Sequence, residues 1–276
     1  VKNHSYLKGK NMGKSSKTLI LIFAGLMLGL SSRAATTVEI AIEKAFISPE
    51  GFDDNDNVEV VLAGHLPNLC YKVGKGSVRI DRSKKVILVK QTATKRSALD
   101  ACTSQSNMPE HLKWPVPFST TVELGRLEAG NYQVRYRTNQ GLFNRGFKIE
   151  KAPTAQVDNM LYAPITRAFI PEVLYATKNA EVVLSGVLES TCTELKSSDI
   201  QVLRFGDVIV VLPKLTLYQY GKCQLKARPL QKVLDLGELT PGRYLLHVRS
   251  IAGQSVNRTF QVIERDQDPS SGHAEP

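Results

Sequence analysis

LGRLEAGNYQVRYRTNQG, from Leu124 to Gly141, has a second version in LGELTPGRYLLHVRSIAG, from Leu236 to Gly253. Each version reads as a corner followed by a hairpin. A strand ends at the Leu-Gly pair, and Gly130 or Gly242 turns the chain. Tyr132 or Tyr244 then opens an alternating strand, and Gly141 or Gly253 marks the next turn. Glycine suits such turns because it reaches positive φ at little steric cost.

The similarity extends outward from this stretch. AFI at Ala45 to Ile47 returns at Ala168 to Ile170, and EVVLAG at Glu59 to Gly64 returns as EVVLSG at Glu181 to Gly186. VILV (Val86 to Val89) returns as VIVV (Val208 to Val211) at an offset of 122, whereas the Tyr corners are offset by 112. The first copy therefore carries about ten extra residues between these points, nearly all after Cys102. Short runs of Val, Ile, Leu and Tyr alternate with Gly, Pro, Asn and Lys punctuation, which is the period of strands. Strands are expected near 37–48, 57–64, 76–82, 85–92, 119–124, 131–137 and 143–150. In the second copy they are expected near 157–170, 180–187, 199–205, 207–212, 232–236, 243–249 and 256–263. The pattern predicts an all-β chain of two tandem β-sandwiches with alternate side chains facing each core. The domain reading is a leader at 1–34, a first sandwich at 35–150, a linker at 151–159, a second sandwich at 160–265 and a polar tail at 266–276.

The leader reads as a secretory signal peptide. Lys2, Lys8, Lys10, Lys14 and Lys17 precede the uncharged run TLILIFAGLMLGL, Thr18 to Leu30, and small residues at Ser32 and Ala34 flank a cut before Ala35. Met12 offers a start that leaves the apolar run intact. As a helix that run rises only about 20 Å, short of a ~30 Å hydrocarbon core, so no stable membrane span is expected after cleavage. The whole chain carries +10, but the leader holds five lysines, one arginine and no acid. The remainder has 30 basic and 26 acidic residues, spread through both halves, and nucleic acid is not the expected partner. Four cysteines in an exported chain read as disulfides. Cys70 and Cys102 are 32 apart and Cys192 and Cys223 are 31 apart, which favours one bridge per copy over the crossed pairings.

At the Tyr corner the chain resembles immunoglobulin-like and fibronectin-type-III-like domains, on Leu-x-x-Gly-x-Tyr followed by an alternating strand and a glycine turn. The fuller pattern, GHLPNLCY at Gly64 to Tyr71, a second Cys and VPF before VELG at Val122 to Gly125, also resembles domains of poorly characterised secreted bacterial proteins. The resemblance implies that the hydroxyls of Tyr132 and Tyr244 bond backbone near the corner, with Leu127 and Leu239 packed beneath. It departs from antibody domains in the shorter Cys-to-Cys separation and in lacking a Trp after the first Cys. The bridges are therefore expected to pin a loop or strand edge rather than cross the core.

No catalytic constellation emerges from the sequence. The histidines are scattered, and no Gly-x-Ser-x-Gly elbow, His-Glu-x-x-His or phosphate-cradling loop occurs. His247 reads as a satisfied or solvent-facing strand residue, in the place of Arg135 in the first copy. Asp53, Asn55 and Asn57 have alternate-ligand spacing for calcium. Val58 follows where a loop Gly would stand, and a solvated turn accounts for the composition. No cofactor or metal is expected. The insertion TSQSNMPEHLKWPVP, Thr103 to Pro117, holds Trp114, the one Trp of the chain, with Met108 and Leu112. Two readings stand. Trp114 either folds down as a cap over the first core beside the disulfide, or anchors a partner together with Met108 and Leu112.

The expected function is a non-catalytic binding or structural module of the bacterial envelope, periplasmic or secreted. It would contact a protein or envelope component through sheet edges and end loops. The alternatives are an inhibitor of a secreted hydrolase, with the proline-rich loop as a wedge, and a fimbrial-type periplasmic chaperone. For the chaperone, the row Phe143, Phe147, Ile149 is interrupted by Arg145.

Overall fold

The computed structural model describes residues 36–49, 51–96, 102, 109–176, 178–218 and 221–264, with the backbone alone for His111. The expected signal peptide at 1–34 and polar tail at 266–276 lie outside the described residues. Among the described residues the chain is all-β, with short 3-10 turns at Glu110–Leu112, Ser197–Asp199 and Ile251–Gly253. The first half contributes β1 (Thr37–Ile40), β2 (Lys44–Phe46), β3 (Phe52–Asp53), β4 (Val58–Leu66) and β5 (Tyr71–Val73). It continues with β6 (Ser77–Asp81), β7 (Val86–Lys95), β8 (Val116–Gly125), β9 (Gly130–Thr138) and β10 (Gly141–Glu150). The second half contributes β11 (Ile165–Phe169), β12 (Val173–Tyr175), β13 (Ala180–Ser190), β14 (Thr193–Glu194) and β15 (Ile200–Phe205). It ends with β16 (Val208–Pro213), β17 (Thr216–Leu217), β18 (Leu225–Gly237), β19 (Gly242–Arg249) and β20 (Ser255–Ile263).

These strands form several sheets, a packing consistent with β-sandwiches. In the first half β2-β4-β8 is one sheet, and β1-β7-β9-β10-β3, with β5 and β6 also on β7, is another. In the second half the sheets are β11-β13-β18 and β12-β20-β19-β16-β15, with β14-β17 a small separate ladder. Alternation fills the space between each pair of sheets. Val60 and Leu62 of β4 and Val122 of β8 share a core with Ile87, Val89, Val134, Phe147 and Ile149 of the opposite sheet. Val182 and Leu184 of β13 and Leu236 of β18 share the second core with Ile209, Val211, Leu246, Val248 and Phe260.

At each corner the Tyr hydroxyl donates to a carbonyl four residues upstream, Tyr132 to Glu128 at 3.0 Å and Tyr244 to Thr240 at 2.9 Å. The rings stack on Phe147 and Phe260, each with centroids 5.5 Å apart. Leu127 and Leu239 are buried. Such a hydrogen bond contributes about 1 kcal/mol and, more importantly, leaves no buried hydroxyl unpaired.

Several strand boundaries differ from the expectation, and the stretch expected as one strand near 37–48 is two, β1 in one sheet and β2 in the other. β8 starts at Val116 and β18 at Leu225, so Pro117 and Pro229 lie within strands that the sequence pattern had closed off. Both strands pair on one side only, with β4 and β13. An edge strand tolerates Pro because its missing N–H need not serve a ladder. β11 starts at Ile165 rather than near 157, because the preceding residues are tied into contacts between the halves.

Those contacts make a third apolar layer. The outer face of β2-β4, with Phe46, Val61 and Ala63, packs on the outer face of β15-β16-β19, with Leu203, Phe205, Val208, Val210 and Leu245. The result is a stack of four sheets with apolar side chains in all three gaps. It follows from the sequence: β16 is apolar on both faces, and β4 and β19 add Val61, Ala63 and Leu245 to their outer faces, as strands covered from both sides must.

Candidate functional site

The described geometry separates two of the three residues of the Thr103–Pro117 segment expected to act together, Leu112 and Trp114. The bridges Cys70–Cys102 and Cys192–Cys223 are formed, with Cα atoms 5.5 Å and 5.4 Å apart. Leu112, half-buried, packs against the first bridge together with Tyr71, and its carbonyl accepts from Leu69 N at 3.1 Å. Trp114 is 67% exposed, which overturns the cap reading. Leu112 already fills the space over the disulfide, and Trp114 lies where the chain straightens into β8. Met108 lies outside the described residues. A contact made by Trp114 therefore draws no support from Leu112, which faces inward.

The acidic turn Asp53–Asn57 is occupied by the protein's own groups. Asp56 accepts from Asp53 N at 2.9 Å, and Asp53 accepts from Asn55 N at 2.9 Å and from Asn159 Nδ2 at 2.7 Å. Asp54 accepts from Ala152 N at 2.9 Å, and Asn55 Nδ2 donates to Thr154 O at 2.6 Å. These bonds strap the 151–159 segment to the first half. Among the described residues no group of three or more His, Cys, Asp or Glu side chains is placed to hold a metal ion.

Arg249 completes this cluster from the second half. Its Nη2 donates to Asp56, to Asp158 at 2.9 Å and to Val157 O at 3.4 Å, and its guanidinium lies 5.6 Å from the centre of the Tyr162 ring. Burial works against the guanidinium charge, but Asp56 and Asp158 outweigh it and hold the Arg249 pKa above its ordinary value. Burial pushes the Asp56 carboxyl up, with Arg249 opposing. Beside it Glu59 accepts from Ser255 Oγ and from Asn257 Nδ2 at 2.8 Å, with His247 Nδ1 3.4 Å away and 2.9 Å from Asn257 Oδ1. Burial lowers the His247 pKa, although Glu59 favours its charge. Ser255 thus donates to a carboxylate instead of an imidazole nitrogen, so these three residues are not a nucleophile–base relay. Across the same layer, Asp207 receives Lys44 at 2.8 Å and Arg145 at 2.9 Å. Burial raises the Asp207 pKa, but those two cations outweigh it and bring it below the usual carboxylate value. The polar girdle around Phe46 therefore locks the halves together, with a cavity of about 90 Å³ beside His247 and Arg249 and one of about 240 Å³ beside His65 and Arg243.

The open outer face of β6-β7-β9 is different in kind. Cross-strand register sets Arg79 opposite Leu88, and Leu88 opposite Arg135; Asp81 lies opposite Val86, and Val86 opposite Gln133. Val86 and Leu88 form an apolar floor between cations. One groove, of about 850 Å³, is lined by Lys84, Lys85, Arg135 and Lys148, and an adjoining one, of about 650 Å³, by Arg79, Arg82 and Arg135. The side chains of Arg79 and Arg82 make no hydrogen bond or ion pair among the described residues. Lys85 is held in place: its backbone has φ 52°, and its Nζ donates to Ala129 O at 2.7 Å. Asp81 is engaged by Ser83 Oγ at 2.7 Å and by Lys84 N at 3.1 Å. The even spread of basic residues along the chain hides this face. The signal was the alternation itself, which puts Gln133, Arg135 and Arg137 on the side of β9 opposite Tyr132, Val134 and Tyr136. The chain matches no protein-family model, no curated protein and no solved structure.

Proposed function

We propose that the chain is an exported, non-catalytic binding module of a bacterial cell envelope. Two tandem immunoglobulin-like sandwiches, descended from one duplicated unit, would hold an anionic, phosphate-bearing envelope component on the open β6-β7-β9 face. The duplication reading is supported by the matching pairing order of the sheets in the two halves and by the two Tyr corners. Export is supported by the two disulfides, which fit an oxidising compartment. No helix among the described residues is long and apolar enough to cross a membrane.

The observation that carries the reading is the set of cations on an apolar floor, with Arg79 and Arg82 free of acidic partners. Acyl or sugar carbon suits Val86 and Leu88, and phosphate suits the guanidinium fork. The face has no exposed aromatic on which a base could stack, which favours an envelope anion over single-stranded nucleic acid. Binding to phosphatidylglycerol vesicles, with phosphatidylcholine vesicles and duplex DNA as comparisons, tests this. A basic side chain near an anionic surface contributes about 1 kcal/mol, so the R79A/R135A variant should bind about 30-fold more weakly. Equal binding of variant and wild type, or a preference for DNA, would refute it.

A second reading rests on Trp114. An exposed Trp beside a disulfide-stapled turn is a suitable wedge for a hydrolase cleft. Loss of inhibition of an envelope hydrolase in a folded W114S variant would favour it. The chaperone reading has less support, because Arg145, which interrupts the apolar row of β10, is bonded to Asp207.

A further inference from the structure

The outer faces of β2-β4-β8 and β11-β13-β18 carry the same cross-strand pairs but have opposite fates. Phe46 lies opposite Val61, and Phe169 opposite Val183; Lys44 lies opposite Ala63, and Arg167 opposite Ser185. Phe46 and Val61 are 0% and 2% exposed, sealed between the halves. Phe169 is 67% exposed, and Val233, opposite Val183 on β18, is 62% exposed. Val187 is exposed on the same face. A sheet face that presents such a row across three strands, with Phe169 and Val233 exposed and Val183 half-buried between them, marks an interaction surface. The open edge of β18 is an unfavourable place for strand addition, because Lys226, Pro229 and Lys232 interrupt it. The face, not the edge, is the surface to be covered.

We propose that a second copy of this chain covers it, with β11-β13-β18 packed on its own counterpart about a two-fold axis running along the Phe169–Val183–Val233 row. The charges around the row support this choice. Glu181 and Asp235 lie opposite each other on one side of the row, and Arg167 lies on the other side, level with Ser185 and Gln231. A two-fold axis along the row exchanges the two sides, so each Arg167 turns toward the acidic side of the other copy. The patch is self-complementary, as an isologous interface must be.

The alternative is head-to-tail stacking, in which this face would sit on β6-β7-β9 of the next copy, as β2-β4-β8 sits on β15-β16-β19. Charge disfavours it. Within the chain Lys44 meets Asp207, the residue just before β16. The residue just before β7 is Lys85, and it would face Arg167. Arg79 and Asp81 also stand opposite Leu88 and Val86, where Leu203 and Phe205 stand opposite Val210 and Val208. A closed dimer satisfies the exposed row; an open filament does not.

Sedimentation equilibrium of the full chain tests the proposal. The wild type should be a dimer, and V233D, which places a charge in the row, should dissociate about tenfold or more readily. R167E should also weaken the dimer, and R167E/E181R should restore it, because the pair changes sign as a unit. Circular dichroism of V233D should match that of wild type, since the site is on the surface. A wild type that stays monomeric at its highest soluble concentration, an open-ended oligomer, or a dimer indifferent to V233D and R167E would overturn it. The R79A/R135A variant should dimerise normally, so this result stands apart from anion binding.

Discussion

Replacing Arg249 with Met tests whether the polar girdle holds the two halves together. Met keeps most of the stem volume, so little cavity forms and the loss reports charge. The Arg249 side chain is 9% exposed, and its partners Asp56 and Asp158 are 6% and 15% exposed. Removing one member of a buried pair typically costs about 3–5 kcal/mol, because the other charge is left without a partner. Asp56 keeps the donor Asp53 N, and Asp158 keeps Gly253 N at 3.2 Å, which places the expectation near the lower end, at about 3 kcal/mol. The pH dependence is the sharper part. Without Arg249, burial of Asp56 is opposed chiefly by the hydrogen bond from Asp53 N, and its folded pKa rises further above the unfolded value of 3.8. A carboxyl raised in the folded state destabilises most when both states are ionised, and the cost shrinks as pH falls through the folded pKa. The deficit of R249M should therefore be largest near neutrality and smaller at about pH 5. D56N/R249M should recover at least about 1.5 kcal/mol of it. Urea unfolding should be followed by far-UV circular dichroism, since an exposed Trp114 is a poor fluorescent reporter. A loss under about 1 kcal/mol, or an equal loss at both pH values, would show that the girdle is not an uncompensated-charge lock.

F46A should cost about 3–5 kcal/mol in the same assay, as for a Phe truncated in any core, although Phe46 belongs to neither sandwich core. Burial lowers the His247 pKa from 6.5, so the unfolded chain takes up a proton there before the folded chain does. Wild type should therefore lose stability relative to H247N as pH falls below 6.5, and a pH-independent difference would contradict this. Removing either bridge, by C70S/C102S or C192S/C223S, should cost about 3.5–4 kcal/mol from loop entropy, measured by thermal unfolding against wild type.

Much of the fold was legible because strand alternation leaves a local record. Val60, Leu62, Val134 and Val182 could be placed in cores from their neighbours alone, and the near-equal Cys spacings pointed to the observed bridges. What could not be read depends on contacts distant in sequence. Asp56 looks like a residue of a solvated turn until Arg249, 193 residues away, is brought onto it. His247 belongs to a buried network for the same reason. Size and neighbourhood left two readings of Trp114 open, and a 3-10 turn that ends two residues before it gave the space over the disulfide to Leu112. The cationic face was invisible to a count of charges because Arg79 and Arg135 lie on strands separated by β7.

The contrast between the two copies of the AFI and EVVL strands limits what duplication can mean here. If copying alone set the surfaces, both three-stranded sheets would present the same face to the same kind of neighbour. Phe46 and Phe169 do present the same face, but the two faces in the acceptor position differ. The one in the second half has Leu203, Phe205, Val208 and Val210 and is covered by the first half. The one in the first half carries Arg79, Asp81 and Lys85 at the corresponding register positions and faces water. On the proposed duplication, divergence of that acceptor would convert a surplus docking face into a cationic surface and prevent head-to-tail growth. The unconverted Phe169 face is the remaining apolar end, so a substitution that restores an acceptor should reopen growth. R79L/D81F/K85D, by rebuilding the apolar floor and placing at position 85 the acid that Asp207 supplies in the second half, should change a closed species into a concentration-dependent series of larger ones. Absence of that change in sedimentation would mean that the sheet stack is limited by something other than charge and apolar complementarity.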